Sequence, residues 1–280
     1  MRLDVGSRTD VGRVRENNED AYLVVEPLQL FIVSDGMGGE AHGEVASAMA
    51  VEVIADHCQA SLDDPGLPLY GEPRPGLSPR TQRLASALFL ANRRIYESAL
   101  HNPEQWGMGA TIVAAWIEGP LLSIAHVGDS RIYLLRAGSL RQLTDDHSLV
   151  AEQVRTGLIS KQQAEVSELQ NVLTRALGPH PQVLVDAAEH HIEPNDEVLL
   201  CSDGLTRMLD DEELASVLAG SPEPQRAADK LVELAKENGG TDNITAVIVR
   251  VPGPSDGLLG KLKRWTHSSG KDRDHSDDTG

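Results

Sequence analysis

Apolar residues in the first hundred positions form short runs and helical repeats. The run Leu30–Val33 leads into Ser34-Asp35-Gly36, and together with residues 21–25 it predicts two strands. Apolar positions at helical spacing predict one helix over 44–60 and a second over 78–100. Ser78 followed by Pro79 supplies an N-cap and first helical position for the second helix.

The rest of the chain alternates further strands with two more helices. Apolar runs separated by turn residues predict a meander of four antiparallel strands over 111–117, 121–127, 131–135 and 140–143. The same criteria predict strands at 197–201 and 244–251, and helices at 211–218 and 224–237. A parallel doubly wound sheet needs alternating strands and helices, which the meander excludes. We therefore predict an α+β domain with two sheets and helices outside.

Three segments lack this regular pattern. Residues 63–79 are rich in proline and glycine, which predicts a surface insertion. Residues 144–178 are more polar, with helical pieces at 147–156 and 160–168, and are a candidate flap. We take 1–252 as one domain and expect 253–280, rich in Gly, Ser, Asp and Lys, to be a disordered tail.

Composition restricts the possible partners. The chain has 280 residues, a formal net charge of -18 and only 3% aromatic residues. Such a chain repels polyanions and offers few rings for base stacking, so we expect no nucleic acid partner. Cys58 and Cys201 lie in apolar stretches, which predicts buried, reduced thiols. Because neither a signal peptide nor an apolar run of about 18 residues is present, we expect a cytoplasmic protein without a membrane span.

Acidic residues at strand ends are the candidate chemistry. Asp35 and Asp203 each follow an apolar strand and precede a glycine, while Asp242 comes just before the last strand. Carboxylates so far apart in sequence meet only in the folded domain, where like charges raise each other's pKa unless a cation neutralises them. Oxygen ligands without His or Cys favour Mg²⁺ or Mn²⁺, and a water between two such ions is a nucleophile. Asp35 is our candidate for the shared ligand.

Arg15 lies just before a second acidic pair, Glu19 and Asp20. A guanidinium beside a metal site suits bidentate binding of a phosphate group. The alternative is a surface salt bridge with Glu16 or Glu19. The neighbouring acidic pair favours the functional interpretation.

Five motifs in order carry a resemblance to a known family. They are Val14–Asp20, Ser34–Gly39, Val127–Arg131, Ser202–Leu205 and Gly239–Asn243. Together they resemble the metal-dependent serine/threonine phosphatases of the PP2C family over about residues 5–250. Residues 145–148 and 171–178 are similar to segments that bracket a flap in bacterial members.

The resemblance implies a fold, a site and a substrate. The fold is a β-sandwich of two antiparallel sheets flanked by helix pairs, with two Mg²⁺ or Mn²⁺ ions at one end. Asp35 would bridge the metals, the Gly36 carbonyl would bind one, and Asp203 and Asp242 would complete the other. The remaining implied roles are metal-bound waters for Glu19 and Asp20, substrate phosphate for Arg15, and a third metal ion held by Asp129 together with Asp203. The expected substrates are phosphoproteins, including a serine/threonine kinase and its targets, and we expect a monomer.

The chain departs from the family pattern at the general acid. Animal members have a histidine two residues after the bridging aspartate, where this chain has Met37. Many bacterial relatives have one directly after the Gly-Gly pair, where this chain has Glu40. His42, two residues further, and a metal-bound water are the alternative proton donors.

The sequence offers three other interpretations. A pseudophosphatase, with the same fold used for binding, would lack metal ligands, but every expected carboxylate is present. A glycosidase needs two acids and no metal, which explains neither Arg15 nor the additional aspartates. The basic, amphipathic segment 258–265 could contact a membrane or partner, although such stretches are more often solvated linker.

Overall fold

Two antiparallel sheets form the centre of the fold. The computed structural model describes residues 2–38 and 42–253, and within them eleven strands are present. The first sheet has the order β1 (Asp4–Asp10), β11 (Ile244–Arg250), β10 (Glu197–Cys201), β7 (Arg131–Arg136) and β8 (Ser139–Gln142). The second has the order β2 (Asp20–Val25), β3 (Leu30–Met37), β5 (Ile112–Glu118), β6 (Leu121–Val127) and β9 (Asp186–His191), and β4 (Gly109–Ala110) pairs with β3.

Helices cover the outer face of each sheet. The seven helices of the described residues are α1 (His42–Asp63), α2 (Pro79–His101), α3 (Leu149–Arg155), α4 (Lys161–Glu165), α5 (Asp203–Thr206), α6 (Asp211–Gly220) and α7 (Pro224–Glu237). Helices α1 and α2 pack on the second sheet, and α6 and α7 on the first. The Ser78 hydroxyl accepts a hydrogen bond from the Thr81 amide, which confirms the predicted N-cap of α2.

Burial on both faces explains the continuous apolar runs of the central strands. In β3, Leu30 and Ile32 pack towards α1 and α2, whereas Phe31 and Val33 pack between the two sheets. Successive strand residues point to opposite faces, so a strand in the middle of four layers has no polar face. The domain is therefore a helix–sheet–sheet–helix sandwich, and the predicted α+β fold with two antiparallel sheets is confirmed.

The predicted four-stranded meander is wrong. Strand β6 pairs with β5 and β9 in the second sheet, whereas β7 pairs with β8 and β10 in the first. The segment 128–130 thus carries the chain from one sheet to the other. Gly128 has a φ of +105°, a backbone shape that turns and crossovers share, so its sequence resembles a hairpin turn.

Other elements were predicted in part. Strands β1 and β9 had no counterpart in the sequence prediction, and the expected turn at Asp203-Gly204 is the one-turn helix α5. Helices α3 and α4 confirm the two helical pieces of the flap, and both cysteines are buried and free. The predicted tail, including the basic segment 258–265, lies outside the described residues from position 254 onward. Within those described, none of the helices is long and apolar enough to cross a membrane.

Candidate metal centre

The predicted acidic residues meet at one end of the sandwich. Strand pairing brings the first residue of β2, Asp20, opposite Asp35 near the end of β3. Asp203 follows β10, Asp242 precedes β11, and Asp129 lies in the crossover between β6 and β7. A cleft of about 200 Å³ opens here, and its lining includes Arg15, Glu19, Asp35, Gly36, Asp129, Asp203 and Asp242. Asp20 is buried close to these carboxylates.

The backbone around Asp35 is fixed by its neighbours. The Asp35 amide donates to the Thr111 hydroxyl at 3.1 Å, and the Asp35 carbonyl accepts from the Thr111 amide at 2.8 Å. The Thr111 hydroxyl also hydrogen-bonds the Ser130 hydroxyl at 2.7 Å. At Gly36 a Cβ would lie 2.1 Å from the carbonyl oxygen of Gly43, so only glycine fits there. These contacts hold the Asp35 carboxylate in place at the cleft.

Asp20 links the two sheets. Its Oδ2 accepts hydrogen bonds from the hydroxyls of Ser202, at 2.7 Å, which directly follows β10, and of Thr245, at 2.6 Å, in β11 of the first sheet. Its Oδ1 is buried and has no hydrogen-bond partner among the described residues. Burial, reinforced by the charges of Asp203 and Asp242, raises the pKa of Asp20 to about 7.

Asn243 positions the segment that carries Arg15 and Glu19. Its side-chain amide donates to the carbonyls of Val11, at 3.0 Å, and Asn17, at 2.9 Å, and its Oδ1 accepts from the Glu19 amide at 2.7 Å. The side chain is only 4% exposed. One buried amide therefore connects β11 with the loop before β2. Asn243 belongs to the motif Gly239–Asn243, but nothing in the sequence around it predicts this role.

The electrostatics of the cleft favour a bound cation. Burial raises the pKa of Asp35 well above its usual range, and the charges of Asp20 and Asp203 add to this effect. Burial also raises the pKa of Asp129 to about 8 and raises the pKa of Asp203. The Oδ1 atom of Asp203, like that of Asp20, has no hydrogen-bond partner among the described residues. Buried carboxylate oxygens of this kind suit a hard divalent ion.

Two arginines border the acidic cleft. The Nη2 of Arg15 lies 2.8 Å from Asp242 Oδ2, so its salt-bridge partner is neither Glu16 nor Glu19. The Arg15 side chain is 51% exposed and lines the cleft, so it remains accessible to a ligand. Arg207, which the sequence analysis missed, forms an ion pair with Asp203. Its spacing of four residues from Asp203 was visible in the sequence, but only the helix α5 makes that spacing meaningful.

The flap lies beside the cleft. Asn171 and Leu173 line the cleft, and the Leu149 amide donates to the Val172 carbonyl at 2.8 Å. At the base of the flap, Asp146 accepts from Arg131 Nε at 3.0 Å and from Nη2 at 2.7 Å. The candidate flap, residues 144–178, is thus joined to strand β7 near its start and lines the cleft through Asn171 and Leu173 near its end.

This chain has no histidine at either of the two positions where family members carry one as a candidate general acid. Met37 lines the cleft, and none of the described cleft residues is a histidine. Glu40 lies outside the described residues. His42 is the first residue of α1, and its Cβ is near the position that a Cβ on Gly38 would take. The described residues therefore place no imidazole group at the cleft.

A histidine cluster lies between β6 and the base of the flap. The rings of His126 and His147 stack with centroids 4.8 Å apart, and His147 Nε2 lies 3.1 Å from Asp186 Oδ2. The other nitrogen of His147 accepts a hydrogen bond from the Gly128 amide at 3.1 Å. Both ring nitrogens of His147 are therefore hydrogen-bonded. This favours a structural role, in which the cluster holds the base of the candidate flap, and it disfavours a metal site here.

Comparison with known proteins identifies the class. A solved phosphatase, PstP/Ppp of Mycobacterium tuberculosis, superimposes with a TM-score of 0.78 and 34% identity, covering 90% of this chain and 100% of that one. The PstP catalytic domain in complex with two manganese ions superimposes with a TM-score of 0.76 and 35% identity, covering 89% and 98%. The fold is thus that of a protein phosphatase.

Sequence comparison then gives the family. The family profile described as protein phosphatase 2C matches residues 13–244. The serine/threonine phosphatase stp of Listeria welshimeri is 41% identical over 245 residues, which cover 86% of this chain and 93% of the relative. The chain therefore belongs to the protein phosphatase 2C family, and the predicted family resemblance is confirmed.

Proposed function

We propose that this chain removes phosphate from phosphoserine and phosphothreonine in proteins, using two Mg²⁺ or Mn²⁺ ions, and so opposes a serine/threonine kinase. The observation that carries the proposal is the convergence of Asp20, Asp35, Asp129, Asp203 and Asp242 at one end of the sandwich. Burial makes four of these carboxylates costly to ionise, and a divalent cation relieves that cost; the four are Asp20, Asp35, Asp129 and Asp203. The relatives named as serine/threonine phosphatases and the manganese complex of PstP support it.

The donor atoms fit hard cations. Carboxylate oxygens dominate the cleft, and its described residues include neither histidine nor cysteine, which favours Mg²⁺ and Mn²⁺ over Zn²⁺. Asp35, Asp203 and Asp242, with the Gly36 carbonyl, would hold the two ions, and Asp35 would be shared. Glu19 and Asp20 would bind the waters that complete the ion shells. The unpartnered Oδ1 atoms of Asp20 and Asp203 support this assignment.

Protein side chains bind and orient the substrate. When bound, a pair of such ions supplies the nucleophile by acidifying a water between them, and it neutralises phosphate charge. Arg15 binds the phosphate oxygens through its exposed guanidinium nitrogens, while its bond to Asp242 keeps the side chain aimed at the cleft. Met37, Asn171 and Leu173 line the cleft and would contact the peptide around the phosphorylated residue. We assign the proton of the leaving alkoxide to water, with His42 as the alternative donor.

The setting proposed is a single chain in the cytoplasm. Helices cover the outer faces of both sheets, which supports a monomer. Cys58 and Cys201 are both buried and free, as suits a reducing compartment. The partners are phosphoproteins, with a serine/threonine kinase and its targets as the expected substrates.

Turnover of p-nitrophenyl phosphate and of a phosphothreonine peptide tests the proposal. With Mn²⁺ we expect turnover that EDTA abolishes and that shows no burst of phosphoenzyme. Asp35→Ala and Asp203→Ala should each lower kcat at least about a hundredfold, since each removes a proposed metal ligand. Asp56→Ala, which removes an exposed carboxylate on α1, is the matched control and should retain activity. Folded Asp35→Ala and Asp203→Ala variants with parental turnover would refute the proposed site.

The pseudophosphatase alternative predicts a different result. A binding module of this fold should bind Mn²⁺ weakly and release no phosphate. Calorimetric titration of the EDTA-treated protein with Mn²⁺ distinguishes the two, because the proposed enzyme should bind two ions. The complete set of carboxylates in the cleft favours the enzyme.

A further inference from the structure

Arg207 occupies a central position among the carboxylates of the cleft. Its Nη2 forms the ion pair with Asp203 Oδ2 and also lies 3.9 Å from Asp129 Oδ2. Its Nη1 lies 3.9 Å from Asp242 Oδ2. One guanidinium group thus contacts three acidic residues from separate parts of the chain. A single nitrogen of Arg207 lies between Asp129 and Asp203, the two residues that the family resemblance assigns to a third metal ion.

The local fold fixes this position. Helix α5 begins at Asp203, and the Arg207 amide donates to the Asp203 carbonyl at 2.9 Å, which closes one helical turn. Residues four apart on a helix lie on the same side, so the Arg207 side chain runs alongside Asp203. The side chain is 25% exposed, and it lines both the main cleft and a neighbouring cleft that includes Asp129, Arg131 and Asp146. Arg207 therefore stands between the two clefts.

The two oxygens of Asp203 have different surroundings. Oδ2 is paired with Arg207, while Oδ1 is buried without a hydrogen-bond partner among the described residues. This division leaves one oxygen for the two-ion centre and commits the other to the arginine. Arginine stays protonated at every accessible pH, so its charge is permanent. A divalent ion placed between Asp129 and Asp203 would meet a fixed positive charge within a few ångströms.

We propose that Arg207 is a built-in cation that takes the place of a third metal ion between Asp129 and Asp203, so that the chain holds two divalent ions. The inference rests on the proposed function, since it concerns the same centre. It predicts that the third site is closed in the parent protein and opens when the guanidinium is removed. Asp129 then pairs electrostatically with Arg207 in the parent protein and becomes a metal ligand only when the Arg207 guanidinium is removed.

Counting bound Mn²⁺ tests the inference without any activity measurement. Free Mn²⁺ is measured by electron paramagnetic resonance at room temperature, and the binding heats by calorimetry, on EDTA-treated protein. The parent should bind two ions and Arg207→Ala three, with the third site at least about tenfold tighter than any third binding in the parent. Arg207→Lys, which keeps the positive charge, should stay at two ions. Arg207→Met, which keeps the length of the side chain, repeats the count if the alanine variant fails to fold.

A double variant identifies the residue behind the third ion. Asp129→Asn combined with Arg207→Ala should return the count to two, because the new site needs the Asp129 carboxylate. A count of two in both neutral variants overturns the role of Arg207 and leaves the proposed function standing. A third ion in the parent that Asp129→Asn removes also overturns it. A parent that binds no Mn²⁺ overturns the proposed function itself.

Discussion

Asn243→Ala offers a direct test of how the site is assembled. The substitution removes three hydrogen bonds, from the Asn243 amide to the carbonyls of Val11 and Asn17 and from the Glu19 amide to Asn243 Oδ1. A hydrogen bond contributes about 0.5–1.5 kcal/mol net, and a buried group left unpaired costs more. The Asn17 carbonyl lies in an exposed residue and can turn to water. We therefore expect a loss of roughly 3 kcal/mol in the free energy of unfolding.

Thermal unfolding in EDTA measures this loss. For a domain of this size, roughly 3 kcal/mol corresponds to a fall in Tm of about 6–12 °C. Mn²⁺ affinity should also fall, because the segment that carries Arg15 and Glu19 loses its attachment to β11. Asn238→Ala is the matched control, since Asn238 is exposed and donates one hydrogen bond, to the Met208 carbonyl. An equal Tm for the two variants would refute the proposed role of Asn243.

Three further predictions concern the cleft. Gly36→Ala places a Cβ 2.1 Å from the Gly43 carbonyl oxygen, so kcat for p-nitrophenyl phosphate should fall at least about tenfold through displacement of the backbone. Arg15→Ala should raise KM for a phosphothreonine peptide about tenfold and change kcat less, as steady-state kinetics will show. Burial raises the folded-state pKa of Asp20 to about 7 and of Asp129 to about 8, so the folded chain retains protons that the unfolded chain releases. Stability in EDTA should therefore fall as pH rises from about 4 to about 8, and saturating Mn²⁺ should reduce the difference in Tm; a Tm that rises over this range in EDTA contradicts the assignment.

The sequence predicted the parts of the fold that are apolar. The central strands and the long helices carry continuous runs or helical repeats, because they are buried between layers. Strands β1 and β9 are edge strands of their sheets, and their sequences DVGSRTD and DAAEHH are largely polar. A polar edge strand has no hydrophobic run to reveal it. Likewise, the sequence of a strand buried on both faces does not show which sheet the strand joins. For this reason the crossover at 128–130 was predicted to be a hairpin turn within one sheet.

The acidic residues of the site could be predicted because each lies beside a strand end. The residues that hold them in place could not, because their partners are far away in sequence. Thr111 contacts Asp35, and Thr245 contacts Asp20, across 76 and 225 positions of the chain. Nothing local in the sequence marks such a pair. The ion pair between Arg207 and Asp203 could not be predicted for a related reason. It depends on the one-turn helix α5, and the sequence predicts only a turn there.

The hydrogen bonds from Ser202 and Thr245 to Asp20 cross from one sheet to the other at the very end of the sandwich. Carboxylates contributed by both halves therefore meet along a seam. Ions bound there would link the two sheets and resist movement of one sheet relative to the other. Removing the ions should increase local opening between the two sheets at this end. Amide hydrogens of β3 and β11 near this end should then exchange faster with solvent deuterium, while those at the opposite end should not.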